Sequence, residues 1–161
     1  MKYWWCNQSR DWEHEFPEGV VCASDRKNRL TYRETVGLVM RADLIVHYVR
    51  PYIRAISRAT ENGRHMLALP LVNGRNYGSG WRFNTDYVLL EGERKIHRDL
   101  FVEHFGDRVR TGVPPHFPFC GNGNVRQGYF FPFDGEGFEF IVGIGHVAEE
   151  IEHAWGINIP G

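Results

Sequence analysis

Leu44-Ile-Val-His-Tyr-Val49, the pair Arg50-Pro51, and Tyr52-Ile-Arg-Ala-Ile-Ser-Arg-Ala-Thr60 form the stretch on which the fold turns. The first run is apolar apart from His47 and reads as a buried strand. Arg50-Pro51 is a turn. Residues 52–60 return as an alternating strand that carries Ile53, Ala55 and Ile56 near the core. Strands joined this tightly run antiparallel, because a parallel partner needs a crossover of about a dozen residues or more. The neighbouring segments repeat the pattern. Residues 3–7 are a short aromatic-rich strand, 19–23 (Gly-Val-Val-Cys-Ala) a second, and 81–90 (Trp-Arg-Phe-Asn-Thr-Asp-Tyr-Val-Leu-Leu) another. Residues 24–30 are polar and turn-like, and Thr31 with Glu34 fits a capping box that predicts a helix over about 31–39. A helix is expected near 96–105, a final strand over 125–133 and helix over about 135–154. Between the strands, residues 61–80 form a long irregular stretch with Asn62, Gly63, Asn73, Gly74, Asn76, Gly78 and Gly80; loops this long in compact domains are mostly functional or mobile. A Pro-rich loop carries Pro114, Pro115 and Pro118. The order β-β-α-β-β-loop-β-α-loop-β-α, with short strands and peripheral helices, predicts an α+β fold built on an antiparallel curled sheet or small barrel.

The chain has 161 residues, which fits one domain over 1–161 with a core of its own. Aromatic residues make up 14%. Rings at that density either fill a core or supply stacking surfaces for a ligand. No run approaches the ~18 apolar residues of a membrane span, and Met1-Lys2-Tyr3-Trp4-Trp5 does not show the basic-then-apolar pattern of a secretory leader. Cys6, Cys22 and Cys120 are three in number and widely spaced, so reduced thiols and a cytoplasmic location are expected. The net charge of −1 excludes a polybasic tail, yet 16 of the 19 basic residues are arginine. Arg50, Arg54 and Arg58 share one segment, and guanidinium forks suit phosphates and base edges.

The sequence lacks the common catalytic fingerprints. There is no GxGxxG, Walker or GxSxG pattern, and no CxxC, so no cofactor and no metal are expected. His146 and His153, seven apart, are expected two turns apart on one helix face, without metal spacing; His97 and His104 repeat that spacing. Asp11, Glu13 and Glu15 beside His14 read as a solvated acidic run. A Cys6 or Cys22 nucleophile with a distant histidine has no local support. The simplest reading is a binding module.

Four segments carry a resemblance: Tyr3-Trp-Trp-Cys-Asn-Gln8, Asp43-Leu-Ile-Val-His-Tyr-Val49 with Ile53-Arg-Ala-Ile-Ser57, Trp81 to Leu90, and Gly123-Asn-Val-Arg-Gln-Gly-Tyr-Phe-Phe131. In that order they resemble the EVE-type domains of modification-dependent restriction systems and, more distantly, YTH domains. The resemblance implies a PUA-like fold, a curled antiparallel or mixed β-barrel with peripheral helices. It also implies a reader that flips a modified base, methylated cytosine or adenine in DNA, into an aromatic pocket. The partners implied are modified DNA, with RNA N6-methyladenine as the YTH-like alternative, and a nuclease or motor domain or subunit that does the cutting. A PUA-like or ASCH-type enzyme acting on a modified nucleoside is the catalytic alternative. The base contacts expected are Trp5, Asn7, Gln8, Cys22, Ser24, Tyr48, Tyr77 and Trp81, around a cavity beside Asn7. The phosphate contacts expected are Arg50, Arg54, Arg75 and Arg126. One departure stands out: where such domains carry a cage tryptophan in the second strand, this chain has Val21 or Cys22. Either the cage is built differently, with Trp5, Trp12, Tyr48, Tyr77 and Trp81 as candidate replacement rings, or the preferred base differs, or no methyl group is read. Flipping costs a few kcal/mol, ring stacking returns roughly 1–3 kcal/mol per base, and a methyl group adds only about 0.8 kcal/mol. A reader therefore needs rings and a polar edge together.

Overall fold

A computed structural model describes residues 1–26, 33–107, 118–120 and 123–160. Eight strands form one curled, mixed sheet: β1 (Tyr3–Asn7), β2 (Val20–Ser24), β3 (Leu44–Val49), β4 (Tyr52–Ala59), β5 (Arg64–Met66), β6 (Gly80–Leu89), β7 (Ile96–His97) and β8 (Phe130–Phe133). The order is β2-β6-β4-β3-β1-β8, with β5 on β6 and β7 on β4. All pairings are antiparallel except β1 with β3, which runs parallel from Tyr3↔Leu44 to Asn7↔Tyr48. The expected hairpin is β3–β4. It carries a bulge: His47 faces Ala55 but Tyr48 faces Ile53, so Arg54 is the extra residue. A bulge re-aims a side chain, and here it sets Arg54 over the Trp12 ring at 5.5 Å. β6 supplies the curl. Its first half pairs with β2 and its second half with β4.

Both faces of the central strands are covered, which is why they read as almost unbroken apolar runs. On β1, Trp4 and Cys6 point into the curl, against Val21, Ile45, Phe83 and Phe130. Trp5 points to the opposite face, among Tyr48, Phe101, Phe119 and Phe131. Both tryptophans are buried, because helices roof the outer face. Those helices are α2 (Arg98–His104), α3 (Gly135–Ile144) and α4 (Ala148–Trp155), while the short α1 (Trp12–Glu15) plugs one end of the curl. α3 starts where Asp134 accepts a hydrogen bond from the Gly137 amide (2.7 Å), a side-chain N-cap. α4 ends at Gly156, whose φ of 65° is the left-handed cap glycine tolerates.

Several local expectations need correction. The helix over 135–154 is two helices, broken at His146, where φ is 52°. His146 and His153 therefore do not share a helix face. His97 is the N-cap of α2 and His104 its last residue. In the stretch expected as helix over 31–39, the described residues hold a short 3-10 helix, Glu34–Leu38; Thr31 lies outside the described residues, as do Pro114 and Pro115. The final strand is shortened to β8, preceded by an isolated bridge, Phe119↔Val125. The long stretch 61–80 is not structureless. It holds β5 and a tight turn in which Val72 and Arg75 exchange backbone hydrogen bonds of 3.0 and 2.9 Å.

Candidate functional site

The interior of the curl changes character along its length. Apolar at the Trp4 end, it becomes a polar network around Glu15 and His47, both fully buried. Glu15 is the hub. Its Oε1 accepts from the Tyr129 hydroxyl (2.5 Å), Gln8 Nε2 (3.1 Å) and the Cys22 amide (3.1 Å), and its Oε2 accepts from the Tyr77 hydroxyl (2.7 Å). His47 continues the chain: its Nδ1 lies 2.6 Å from Gln8 Oε1 and its Nε2 2.6 Å from the Ser57 hydroxyl, which also accepts from Thr85 (2.7 Å). Burial, with Asp11 nearby, pushes the Glu15 carboxyl up to about 8. Burial alone drives His47 down to about 3. At neutral pH the network is close to charge-free, the condition under which a buried polar cluster costs least.

Tyr77 and Tyr129 turn their other sides to a cleft of about 170 Å³ that opens beside β2. Its floor and walls include Asp11, Cys22, Ser24, Arg33 and these two rings, with Arg26, Arg75 and Asn76 at its rim. Arg75 is held twice: its Nη1 lies 2.5 Å from Asp11 Oδ1, and its guanidinium sits 5.0 Å above the Tyr77 ring. Arg33 Nη1 donates to the Ser24 carbonyl (2.9 Å), while its buried Nε has no partner among the described residues. Burial raises the Asp11 carboxyl, and Arg75 and Arg33 pull it back down. The cleft brings two tyrosine rings, one of them covered by Arg75, together with a carboxylate and guanidiniums, which supply donors and an acceptor for a planar polar ligand.

The residues expected from sequence divide sharply. Cys22, Ser24, Tyr77 and Arg75 line the cleft. The other eight stand elsewhere. Trp5 is core, with its Nε1 donating to Asn7 Oδ1 (2.7 Å). Asn7 is a staple: its Nδ2 donates to the carbonyls of Arg126 (3.1 Å) and Gly128 (2.8 Å). The space beside Asn7 is thus filled, and the opening lies at β2 instead. Gln8 sits inside the network behind the cleft, and Tyr48 packs on Trp5 with ring centroids 5.5 Å apart. Trp81 closes the curl; a Cβ on Gly37 would fall 2.7 Å from its Cδ1, and His65 meets its ring edge-on. Arg50 is exposed at the hairpin tip, Arg54 stands over Trp12, and Arg126 Nε donates to the Phe119 carbonyl (3.1 Å). Sequence reading missed Asp11, Glu15, Arg33, His47 and Tyr129. The acidic run expected in solvent is the source of two of them. Asp11 and Glu15 are four apart on one helical face between Trp12 and Phe16, and like charges at that spacing repel on an exposed helix. That spacing was the available signal.

Cys22 is not set up as a nucleophile. Burial and the neighbouring Glu15 push its thiol up to about 12, so it stays protonated at neutral pH. Among the described residues, no group of three or more His, Cys, Asp or Glu side chains is placed to hold a metal ion, and no helix is long and apolar enough to cross a membrane. A second hollow, between the end of β6 and α4, is lined by Glu91, Glu149 and Glu150 against Arg94 and His153. Its carboxylates would repel a polyanion.

No protein-family model and no curated protein matches the chain. Solved structures do, at low identity. The chain is similar to Rpa0253 from Rhodopseudomonas palustris (11% identity, TM-score 0.57, covering 91% of this chain and 94% of that one). It is similar to a Pseudomonas putida protein (14%, 0.55, 89% and 99%). It is also similar to human THYN1, solved in complex with 5-methylcytosine containing DNA (12%, 0.56, 90% and 98%). Such identities speak for architecture alone, and on that point they agree with the strand order: this chain has the PUA-like fold, a curled mixed sheet with few helices, that human THYN1 also has.

Proposed function

We propose that this chain is a nucleic-acid reader that takes one modified base out of the stack and holds it in the cleft between β2, Tyr77 and Tyr129. The observation that carries the reading is the cleft's make-up: two rings fixed from behind by Glu15, with Asp11, Arg33 and Arg75 around them. Its volume is about 170 Å³, below the roughly 300 Å³ where drug-sized pockets begin, which suits a single planar ring. Rings supply the stacking that offsets flipping, and the guanidiniums and carboxylate supply the edge contacts that separate one base from another. The DNA carried by human THYN1, which has the same fold, supports modified DNA as the ligand. In this reading the chain is a binding module, as the protonated Cys22 favours, and a nuclease or motor domain or subunit of a modification-dependent restriction system uses what it recognises.

The test is a binding panel of duplex DNA and single-stranded RNA carrying unmodified base, 5-methylcytosine, 5-hydroxymethylcytosine or N6-methyladenine. A modified duplex is expected to win by at least about tenfold, or 1.4 kcal/mol. Arg75→Ala, which releases Asp11 and uncovers Tyr77, is expected to remove most of that preference. Equal binding across the panel removes the reading; a methylated RNA that outbinds every duplex replaces it with the YTH-like one.

A further inference from the structure

The loop between β5 and β6 builds one wall of the cleft and also carries the most exposed large apolar side chain described, Leu67, at 88% exposure, with Leu71 at 61%. The loop is not loose. Leu69 and Val72 are buried against Val20, Cys22 and Tyr77, so apolar residues alternately anchor it and leave it. The Leu69 amide donates to the Gly78 carbonyl (2.7 Å). Asn73 and Gly74, at φ 45° and 81°, make the two-residue turn of left-handed residues that joins Val72 to Arg75. The Asn73 amide donates to Glu18 Oε1 (2.6 Å) and its Nδ2 to the Glu13 carbonyl (3.2 Å). A leucine held in water on an anchored loop serves no packing need of this chain, and anchoring fixes where it points.

Its place is defined by register. Met66 pairs with Gly80 and Gly80 with Ser24, so Leu67 stands one residue beyond a row that ends in the cleft wall. That is two strand spacings, roughly 10 Å. Arg26 is exposed on the lining of the cleft and Arg64 is exposed on β5, cations of the kind that meet phosphates. We infer that Leu67 is a wedge that enters the gap in a duplex when the neighbouring base turns into the cleft, and that the natural ligand is therefore double-stranded. This rests on the reader function proposed above. An extruded base leaves an unstacked step, and an apolar side chain in that step restores contact with the bases above and below and bars the flipped base from returning. A single strand has no paired stack to repair and gains nothing from the wedge.

The experiment compares the whole chain with Leu67→Ala and Leu67→Phe. It measures binding to the best modified duplex from the panel and to the same modified strand alone. Leu67→Ala is expected to weaken duplex binding about tenfold and single-strand binding less than about twofold, while Leu67→Phe keeps the duplex affinity. Equal losses on both ligands, or no loss on the duplex, overturn the wedge while a preserved preference for the modified base leaves the reader function standing. A wild-type chain with no preference for any modified ligand overturns both. Leu67 is exposed, so neither substitution disturbs the fold, and a thermal melt of each variant confirms that the comparison is fair.

Discussion

Replacing Glu15 by Ala is expected to lower the unfolding free energy by at least about 3 kcal/mol, and the melting temperature by roughly 6–12 °C. The carboxyl is hydrogen-bonded to two phenols, an amide side chain and a backbone amide, and is itself fully buried. Each buried donor left without a partner costs about 1–3 kcal/mol, and the truncated side chain leaves a cavity besides. The losses do not add fully, because a water can enter from the cleft and serve some of the donors. Tyr77 and Tyr129 also lose the group that orients them, so the preference for a modified base should fall with stability. Glu15→Gln is the informative partner. Its amide oxygen still accepts, and a tyrosine hydroxyl can accept from its NH2, so it is expected to keep most of the stability. Chemical denaturation of both variants decides the matter; a loss under about 1 kcal/mol for Glu15→Ala would show that the carboxyl is not what holds the two rings.

Stability is expected to peak in mildly acidic solution and to fall on both sides. Glu15 rises from an ordinary 4.5 to about 8 on folding. A raised group lends its stability fully below its unfolded value and loses it as pH climbs to the folded one, so Glu15 weakens the fold between about pH 4.5 and 8. His47 falls from 6.5 to about 3. A lowered group lends its stability above its unfolded value and loses it as pH descends, so His47 weakens the fold between about pH 6.5 and 3. Within either window each pH unit is worth about 1.4 kcal/mol per group. From about 4.5 to 6.5 these two slopes oppose one another; above that range the Glu15 slope remains, and below it the His47 slope does. Asp11, raised by burial, adds to the loss on the side of Glu15 as pH rises above its ordinary 3.8. Urea midpoints measured from about pH 3.5 to 9 should trace this dome, and Glu15→Gln should flatten its alkaline limb. An alkaline limb of unchanged steepness in that variant would sink the assignment.

The two expectations draw on residues that sequence reading passed over, and the reason is physical. An acidic run such as Asp11 to Glu15 is solvated in most proteins, because burying a carboxyl without partners is prohibitive. The partners here, Gln8, Cys22, Tyr77 and Tyr129, come from four separate places in the chain, the most distant 114 residues away from Glu15. No local pattern announces such a meeting. Tyr77, expected as a base contact, lies on the cleft and has a packing role as well, on Val20 and Val72. Trp5 and Trp81 were singled out as rings, and their bulk is spent on the core and on closing the curl.

Periodicity and turn chemistry in the sequence, from Leu44 to Thr60 above all, determined that short strands pair as hairpins into a curled sheet with helices outside it. Those signals are local, and hydrogen-bonded neighbours a few residues apart obey them. Only tertiary structure decided that β1 lies parallel to β3, that both tryptophans of β1 are interior, and that the opening forms at β2 rather than beside Asn7. Each of these depends on which distant side chain fills a given space. That choice belongs to the packing of the whole chain and is written in no single segment of it.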